Sequence, residues 1–337
     1  MAIFWRVSWM LLSRLRERDV HSLRFVEGEG GYRIAPSHVA SKRSETMHMS
    51  MQGKSVLISG ATQGIGKIAA LELAKLGAQV SIIARDPVRA EVARGEIAAA
   101  GGNDNVEVYI ANLASLADIR RVAQEYRAKH KRLDVLINNA GAVFMDRRLS
   151  PDGFELTFAT NHLGYFLLTK ELLPLLKTSA PARVVNVASD AHKGMQLDFT
   201  DLQSQKRFIG LKTYGRSKLA NILFTRELAR QLQGTGVTAN SLHPGFVASS
   251  FGNGNGKLWD IIMRIAMLFA ITPAKGAETT VYLASSPDVD AVSGKYFSKK
   301  KVVSPTEAAQ DDVSAKKLWE VTEQLIASKL PAQAQRA

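Results

Sequence analysis

The stretch from Lys54 to Gly66, KSVLISGATQGIG, limits the folds open to this chain more than any other. An apolar run from Ser55 to Ile58 leads into Gly60, Gly64 and Gly66, and an amphipathic segment from Ile65 to Leu76 ends at Gly77. That order reads as strand, tight turn and helix. Gly60 permits the turn, Gly64 lets a pyrophosphate approach the backbone, and Gly66 lets the helix pack on the strand, while amides at the helix start face the anion. The pattern is a dinucleotide-binding opening, with an ordinary glycine-rich turn as the alternative until its surroundings are known.

The surroundings repeat the same alternation. Val80 to Ala84 reads as a strand, Pro87 to Ala100 as a helix, Val106 to Ile110 as a strand, Leu116 to His130 as a helix and Leu133 to Ile137 as a fourth strand. Strands separated by helices imply an α/β fold, a doubly wound parallel sheet of Rossmann type with ligands at the carboxyl ends of its strands. With 337 residues, 46% of them hydrophobic and 22% charged, one large domain over residues 51–330 accounts for the chain. The net charge of +13 is scattered and lacks an aromatic and basic platform, so it reads as a solvated surface that attracts a phosphorylated cofactor, not as a nucleic-acid interface. No cysteine is present, which excludes disulfides, a thiolate nucleophile and cysteine metal sites and makes a cytoplasmic location the simpler reading. His162, His192 and His243 lack ligand spacing with carboxylates, so no metal site is expected.

Residues 1–50 do not share the alternation. The apolar stretch from Met1 to Leu12 contains Arg6 and is short of the ~20 apolar residues that a spanning helix needs. Met47, Met49 and Met51 crowd the start of the first strand. We read residues 1–50 as a flexible extension or an overextended reading frame, and residues 331–337 as a loose tail.

The fourth strand runs into Asn138, Asn139, Ala140 and Gly141. With SGATQGIG before it and Tyr214-Gly215-Arg216-Ser217-Lys218 after it, the chain resembles the short-chain dehydrogenase/reductase family from about Gly53 to the C-terminal helix. Ser59 stands where the family usually has Thr and keeps the hydroxyl. TYGRSKLANILFTREL, VNVASDAH, SGKYF and the Arg85-Asp86 pair resemble the retinol-dehydrogenase-like branch.

For the cofactor, the resemblance implies a nicotinamide dinucleotide lined by Gly60, Thr62, Gln63, Gly64, Ile65 and Gly66, by Asn139, Ala140 and Gly141, and by Pro244, Gly245 and Val247 after His243. An acidic residue ending the second strand would bind a ribose hydroxyl, whereas Arg accommodates a 2′-phosphate. Arg85 occupies that place, with Lys67 and Arg89 near in sequence, so NADP(H) is preferred over NAD(H). Asp86 before Pro87 reads as a helix N-cap. Asn112 and Leu113 stand where the family commonly has Asp-Leu near the adenine, and Asn keeps an acceptor oxygen.

Tyr214 and Lys218 lie four residues apart at helical spacing, on one face and one turn apart. A nearby ammonium favours a phenolate, so Tyr214 reads as general acid for reduction and base for oxidation. Lys218, as the resemblance implies, lowers the phenol's pKa and holds the nicotinamide ribose. Ser189 follows the apolar run from Val184 to Ala188 and is expected at the carboxyl edge of the fifth strand, holding the substrate oxygen. Asn161, expected on the preceding helix, corresponds to the family's fourth member, which holds a water relaying protons from Lys218.

After Gly245, FGNGNG precedes KLWDIIMRIAMLFAITP, in which Leu258, Ile261, Ile262, Ile265, Leu268 and Phe269 recur at roughly helical spacing. A substrate lid at about residues 246–271 is the preferred reading. Peripheral contact with a membrane and a homo-oligomer contact suit the same stretch. A helix is expected from Pro273 to Ser285, a last strand from Gly294 to Phe297 and a C-terminal helix from Pro305 to Leu330. These features imply an NADP(H)-dependent oxidoreductase interconverting a small hydrophobic alcohol with its aldehyde or ketone. The alternative is a catalytically idle NADP(H)-sensing protein on the same fold.

Overall fold

A computed structural model describes residues 50–102, 105–247 and 270–330. Most of the expected N-terminal extension, the body of the lid at residues 248–269 and the C-terminal tail lie outside the described residues. The described residues fall within one unit, His48–Ala337.

All five residues of β1 (Ser55–Ser59) are buried, as a strand covered on both faces requires. Val56 and Ile58 join the apolar layer on one face while Leu57 joins the layer on the other. β1 pairs in parallel with β2 (Gln79–Ala84) on one side and β4 (Val135–Asn138) on the other. With β3 (Glu107–Ile110), β5 (Ala182–Val187), β6 (Val237–His243), β7 (Tyr296–Ser298) and β8 (Lys301–Val302), the order across the sheet is β3-β2-β1-β4-β5-β6-β7-β8. The order reverses between β1 and β4, which opens a crevice at their carboxyl ends.

Helices α1 (Gly64–Lys75), α2 (Pro87–Gly101) and α6 (Pro273–Ser285) cover one face. The other is covered by α3 (Leu116–Lys129), α4 (Gly164–Thr178), α5 (Gly210–Gln231) and α7 (Asp312–Lys329). Asp86 caps α2 by accepting from the Val88 and Arg89 amides at 2.9 and 3.0 Å, and Ser115, Thr272 and Asp311 cap α3, α6 and α7 in the same way.

Three expectations are corrected. Asn161 is not in the interior of an α-helix: it belongs to a π-helical turn, Ala159–Leu163, inserted between the short helix Leu156–Phe158 and α4. The expected last strand is half of a hairpin, because Lys299 and Lys300 adopt φ of 51° and 62° and turn the chain back into β8. The Lys300 amide donates to Thr279 Oγ1 at 3.1 Å, tying that turn to α6. The C-terminal helix starts at Asp312, after a 3-10 turn at Glu307–Ala309.

The π-helical turn buries His162 among Phe158, Phe166 and Phe224, with Nε2 2.9 Å from Thr322 Oγ1 on α7. Burial lowers the His162 pKa from 6.5 to about 3. The neutral ring is favoured in the folded state, so its contribution is intact above pH ~6.5 and is lost as the pH falls toward 3. Between pH 6.5 and 4.5 this amounts to roughly 2–3 kcal/mol, before most carboxylates titrate. Urea unfolding across that window is expected to show the decline, and His162→Gln to flatten it; equal slopes for the two proteins contradict the assignment.

Candidate active site

The crevice begins with β1. Ser59 Oγ accepts from the amides of Asn139 and Ala140 at 3.0 and 3.1 Å, and Asn139 Nδ2 donates to the carbonyls of Ser59 and Gly60 at 3.0 and 2.9 Å. The glycine turn and the loop after β4 are therefore laced together across the switch point. Gly60, at φ 71°, presses on that loop so closely that a Cβ would stand 2.7 Å from Ala140 Cα. A Cβ on Gly66 would fall against Asn139 Nδ2 and the Gly60 carbonyl. Gln63, at the N-cap of α1, makes no side-chain cap, and the first turn carries no acid. In contrast to α2, α3, α6 and α7, this helix start keeps its amides open, as an anion-binding turn requires. Thr62, Gly64 and Ile65 belong to the same turn, and Ile65 and Val247 both lie against Gly276 of α6.

Val247 follows Pro244 and Gly245 after β6 and pairs with Ile271 in an isolated bridge. Ile271 donates its amide to the Phe246 carbonyl at 2.8 Å, so the two described ends of the expected lid meet beside the glycine turn. Arg85 is exposed immediately after β2 and has no ion pair among the described residues. Lys67, a candidate second cation, is engaged with Glu96 at 2.6 Å. Asn112 bridges its own turn, with Oδ1 accepting from the Ala114 amide at 3.1 Å, and Leu113 is buried with its carbonyl against Gly164. Asn138 points away from the crevice, donating to Thr169 Oγ1 and Asn186 Oδ1 at 3.0 and 2.8 Å.

Gly141 carries the loop to the second half of the site: a Cβ there would lie 3.4 Å from both Asn161 Oδ1 and Lys218 Nζ. Asn161 is wholly buried. It accepts from the Ala142 amide at 2.8 Å, and its Nδ2 donates to the Ala142 carbonyl and Ser217 Oγ, each at 2.9 Å. A π-helical turn at this point rotates Asn161 toward α5, a displacement common at functional sites. Ser217 Oγ in turn donates to the Tyr214 carbonyl at 2.7 Å, so the loop after β4 is tied to the helix that bears Tyr214 and Lys218.

Lys218 is 3% exposed; its Nζ donates to the Val187 carbonyl at 2.9 Å and sits 5.7 Å from the centre of the Tyr214 ring. Burial pulls its pKa down to about 7. Tyr214 is pushed up to about 12 by burial, opposed by a hydrogen bond with Ser189. Burial disfavours the charged form of each group. Ser189, directly after β5 and Ala188, also accepts from the Ala191 amide at 3.1 Å, which fixes its hydroxyl.

A group that motif reading did not reach surrounds Ser189. Tyr296 donates to Asp190 Oδ1 at 3.0 Å, and the Asp190 amide donates to His243 Nδ1 at 3.2 Å, joining β7, the turn after Ser189 and the end of β6. Burial opposes ionisation of Asp190, but Lys193 and His243 beside it hold the carboxyl below its usual range. Nothing local in the sequence joins three residues so far apart.

The family model for short chain dehydrogenase matches residues 54–257. The chain belongs to the short-chain dehydrogenase family. Retinol dehydrogenase 14 of Mus musculus is 45% identical over 289 residues, 82% of this chain and 86% of its own length. Among solved structures, the RhlG/NADP active-site complex of Pseudomonas aeruginosa shares 27% identity at a TM-score of 0.60, covering 74% of this chain and 96% of that one. The 3-ketoacyl-(acyl-carrier-protein) reductase of Brucella melitensis complexed with NADH shares 25% at 0.56, covering 74% and 97%. The chain is thus a retinol-dehydrogenase-like member of the family, an oxidoreductase of the class that acts on CH-OH groups with a nicotinamide cofactor. No helix among the described residues is long and apolar enough to cross a membrane.

Proposed function

We propose that the chain is an NADP(H)-dependent oxidoreductase interconverting a hydrophobic alcohol with its aldehyde or ketone, with Tyr214 as the general acid and base. The observation that carries this reading is the Ser189–Tyr214 hydrogen bond beside a buried Lys218 whose Nζ lies against Gly141 of the loop after β4.

The cofactor residues fit the group assigned to them. The open amides after Gln63 and the close-packed Gly60 and Gly66 suit a pyrophosphate, with Thr62, Gly64 and Ile65 completing the turn. Exposed Arg85 suits a 2′-phosphate, which it can grip with two parallel hydrogen bonds. Asn112 and Leu113 serve the adenine side; Asn139, Ala140 and Gly141 serve the ribose side, and Pro244, Gly245 and Val247 the nicotinamide. When bound, NADPH supplies the hydride for the carbonyl carbon.

The protein's part is to handle the proton. Ser189 donates to the carbonyl oxygen and holds it beside Tyr214. With a pKa of about 12, the Tyr214 hydroxyl keeps its proton at neutral pH and is ready to deliver it to the developing alkoxide. Lys218, near neutrality in its own titration, passes between amine and ammonium at little cost and restores the proton to Tyr214. Asn161 holds the water through which Lys218 is reprotonated. In the oxidation direction each transfer runs backward.

The names of the relatives and the apolar residues that recur from Leu258 to Phe269 favour a hydrophobic substrate, with peripheral membrane contact as a further use of that stretch. The idle-sensor alternative is disfavoured because Tyr214, Ser189, Lys218 and Asn161 are all present and in mutual reach.

NADPH oxidation with a panel of apolar aldehydes and ketones tests the reading. Tyr214→Phe is expected to lower kcat by about 10²–10⁴-fold while NADPH affinity, followed by fluorescence titration, stays within about twofold. Activity retained in that variant removes Tyr214 from its role. Arg85→Asp is expected to lower the ratio of kcat/KM for NADPH over NADH by roughly tenfold or more; an unchanged ratio assigns the phosphate to another residue.

A further inference from the structure

The peptide unit that follows Ser189 is held at both of its polar atoms by a histidine. Its carbonyl oxygen, on Ser189, accepts from Nδ1 of His192 at 2.7 Å and from the His192 amide at 3.2 Å. Its amide, on Asp190, donates to Nδ1 of His243 at 3.2 Å. A carbonyl only accepts and an amide only donates, so the two rings need opposite tautomers: His192 carries its proton on Nδ1 and His243 on Nε2. The other nitrogen of each ring fits that assignment. Nε2 of His192 accepts from the Thr306 amide at 3.4 Å, and Nε2 of His243 lies 3.8 Å from Asp190 Oδ2. A proton added to His243 would set an N–H against the Asp190 amide, and one added to His192 would set an N–H against the Thr306 amide.

We propose that His192 and His243 are positioning residues for Ser189: as neutral rings of opposite tautomer they fix the plane of the Ser189–Asp190 peptide and, through it, the direction of the Ser189 hydroxyl beside Tyr214. This rests on the assignment of Ser189 as the group that holds the substrate oxygen. His192 is wholly buried and set edge-on to Tyr296, with 5.2 Å between the ring centres, so its grip on the Ser189 carbonyl has little room to shift. Around the two rings stand Asp190 and Lys193 of the same turn, Tyr296 of β7, and Tyr214 of α5, which is hydrogen-bonded to Ser189. Burial lowers the pKa of both rings, against Asp190, which raises them. Both are therefore neutral at pH 7 and take up protons only below their ordinary 6.5, so the clamp is present above that pH and is lost as the pH falls.

Asparagine tests this, because it places a donor or an acceptor as many bonds from the backbone as imidazole Nδ1 and does not titrate. His192→Phe, which keeps a ring against Tyr296 and removes the donor, is expected to lower kcat for an apolar aldehyde by roughly tenfold or more with NADPH affinity within about twofold, and His192→Asn to recover most of that loss. The double variant His192→Asn/His243→Asn is expected to keep kcat within about threefold of wild type near neutral pH and to move the acid limb of its kcat profile down by roughly half a unit or more. A His192→Asn variant as slow as His192→Phe traces the loss to packing and overturns the proposal, as does an acid limb that the double variant leaves in place. Long-range ¹H–¹⁵N correlation in the cofactor-free protein at neutral pH reads the tautomers without turnover: Nδ1–H at His192 with Nε2–H at His243 upholds the clamp, and any other pair overturns it. If the wild-type protein reduces no carbonyl compound, the enzyme assignment fails and that spectrum alone decides whether the clamp exists.

Discussion

The lacing of Ser59 to the loop after β4 is the constraint on which the remaining geometry depends. One hydroxyl takes two amides, and one Asn side chain returns two hydrogen bonds to the glycine turn, so the crevice mouth has a fixed width. The next residue along, Gly141, stands against Lys218 and Asn161, and Asn161 reaches α5 through Ser217. A connected path therefore runs from the glycine turn to the helix that bears Tyr214, through partly and wholly buried groups that hydrogen-bond or pack against one another. Substitutions along that path move the two halves of the site relative to each other.

Burial sets the chemistry of those halves. Lys218 and Tyr214 occupy a site dry enough to depress the amine to about 7 and raise the phenol to about 12, so near neutral pH the phenol holds its proton while the amine is poised between its two forms. A phenol that holds its proton is the form a carbonyl reduction needs first. Tyr296 and His243 tie Asp190 to β7 and β6, and the Ala191 amide donates to Ser189 Oγ, so the turn that carries Ser189 has little freedom.

The sheet and its glycine turn were legible because both rest on local pattern. The apolar runs mark β1, β2 and β5, and Asp86-Pro87 announces the start of α2; boundaries differ by a residue or two, as helix and strand ends do. The resemblance singled out Tyr214, Lys218 and Ser189, and helical spacing and the end of a strand made their nearness to one another legible. Three features were not. The π-helical turn depends on what Asn161 and His162 reach, Ser217 and Thr322, both distant in sequence. The last hairpin turns on two lysines in the left-handed region, where Asn or Gly is the usual sign. The direction of the shifts at Tyr214 and Lys218 follows from desolvation, which spacing alone does not reveal.

In the proposed mechanism Tyr214 holds its proton until an oxidised nicotinamide cofactor and a charged Lys218 would favour its ionisation. The most direct test is the phenolate titration of Tyr214 by ultraviolet difference absorbance, with Tyr214→Phe as background, in the absence and presence of saturating NADP⁺. The account predicts a midpoint near 12 without the dinucleotide and a fall of roughly two units or more with it. A midpoint that stays in place when the dinucleotide is bound contradicts it.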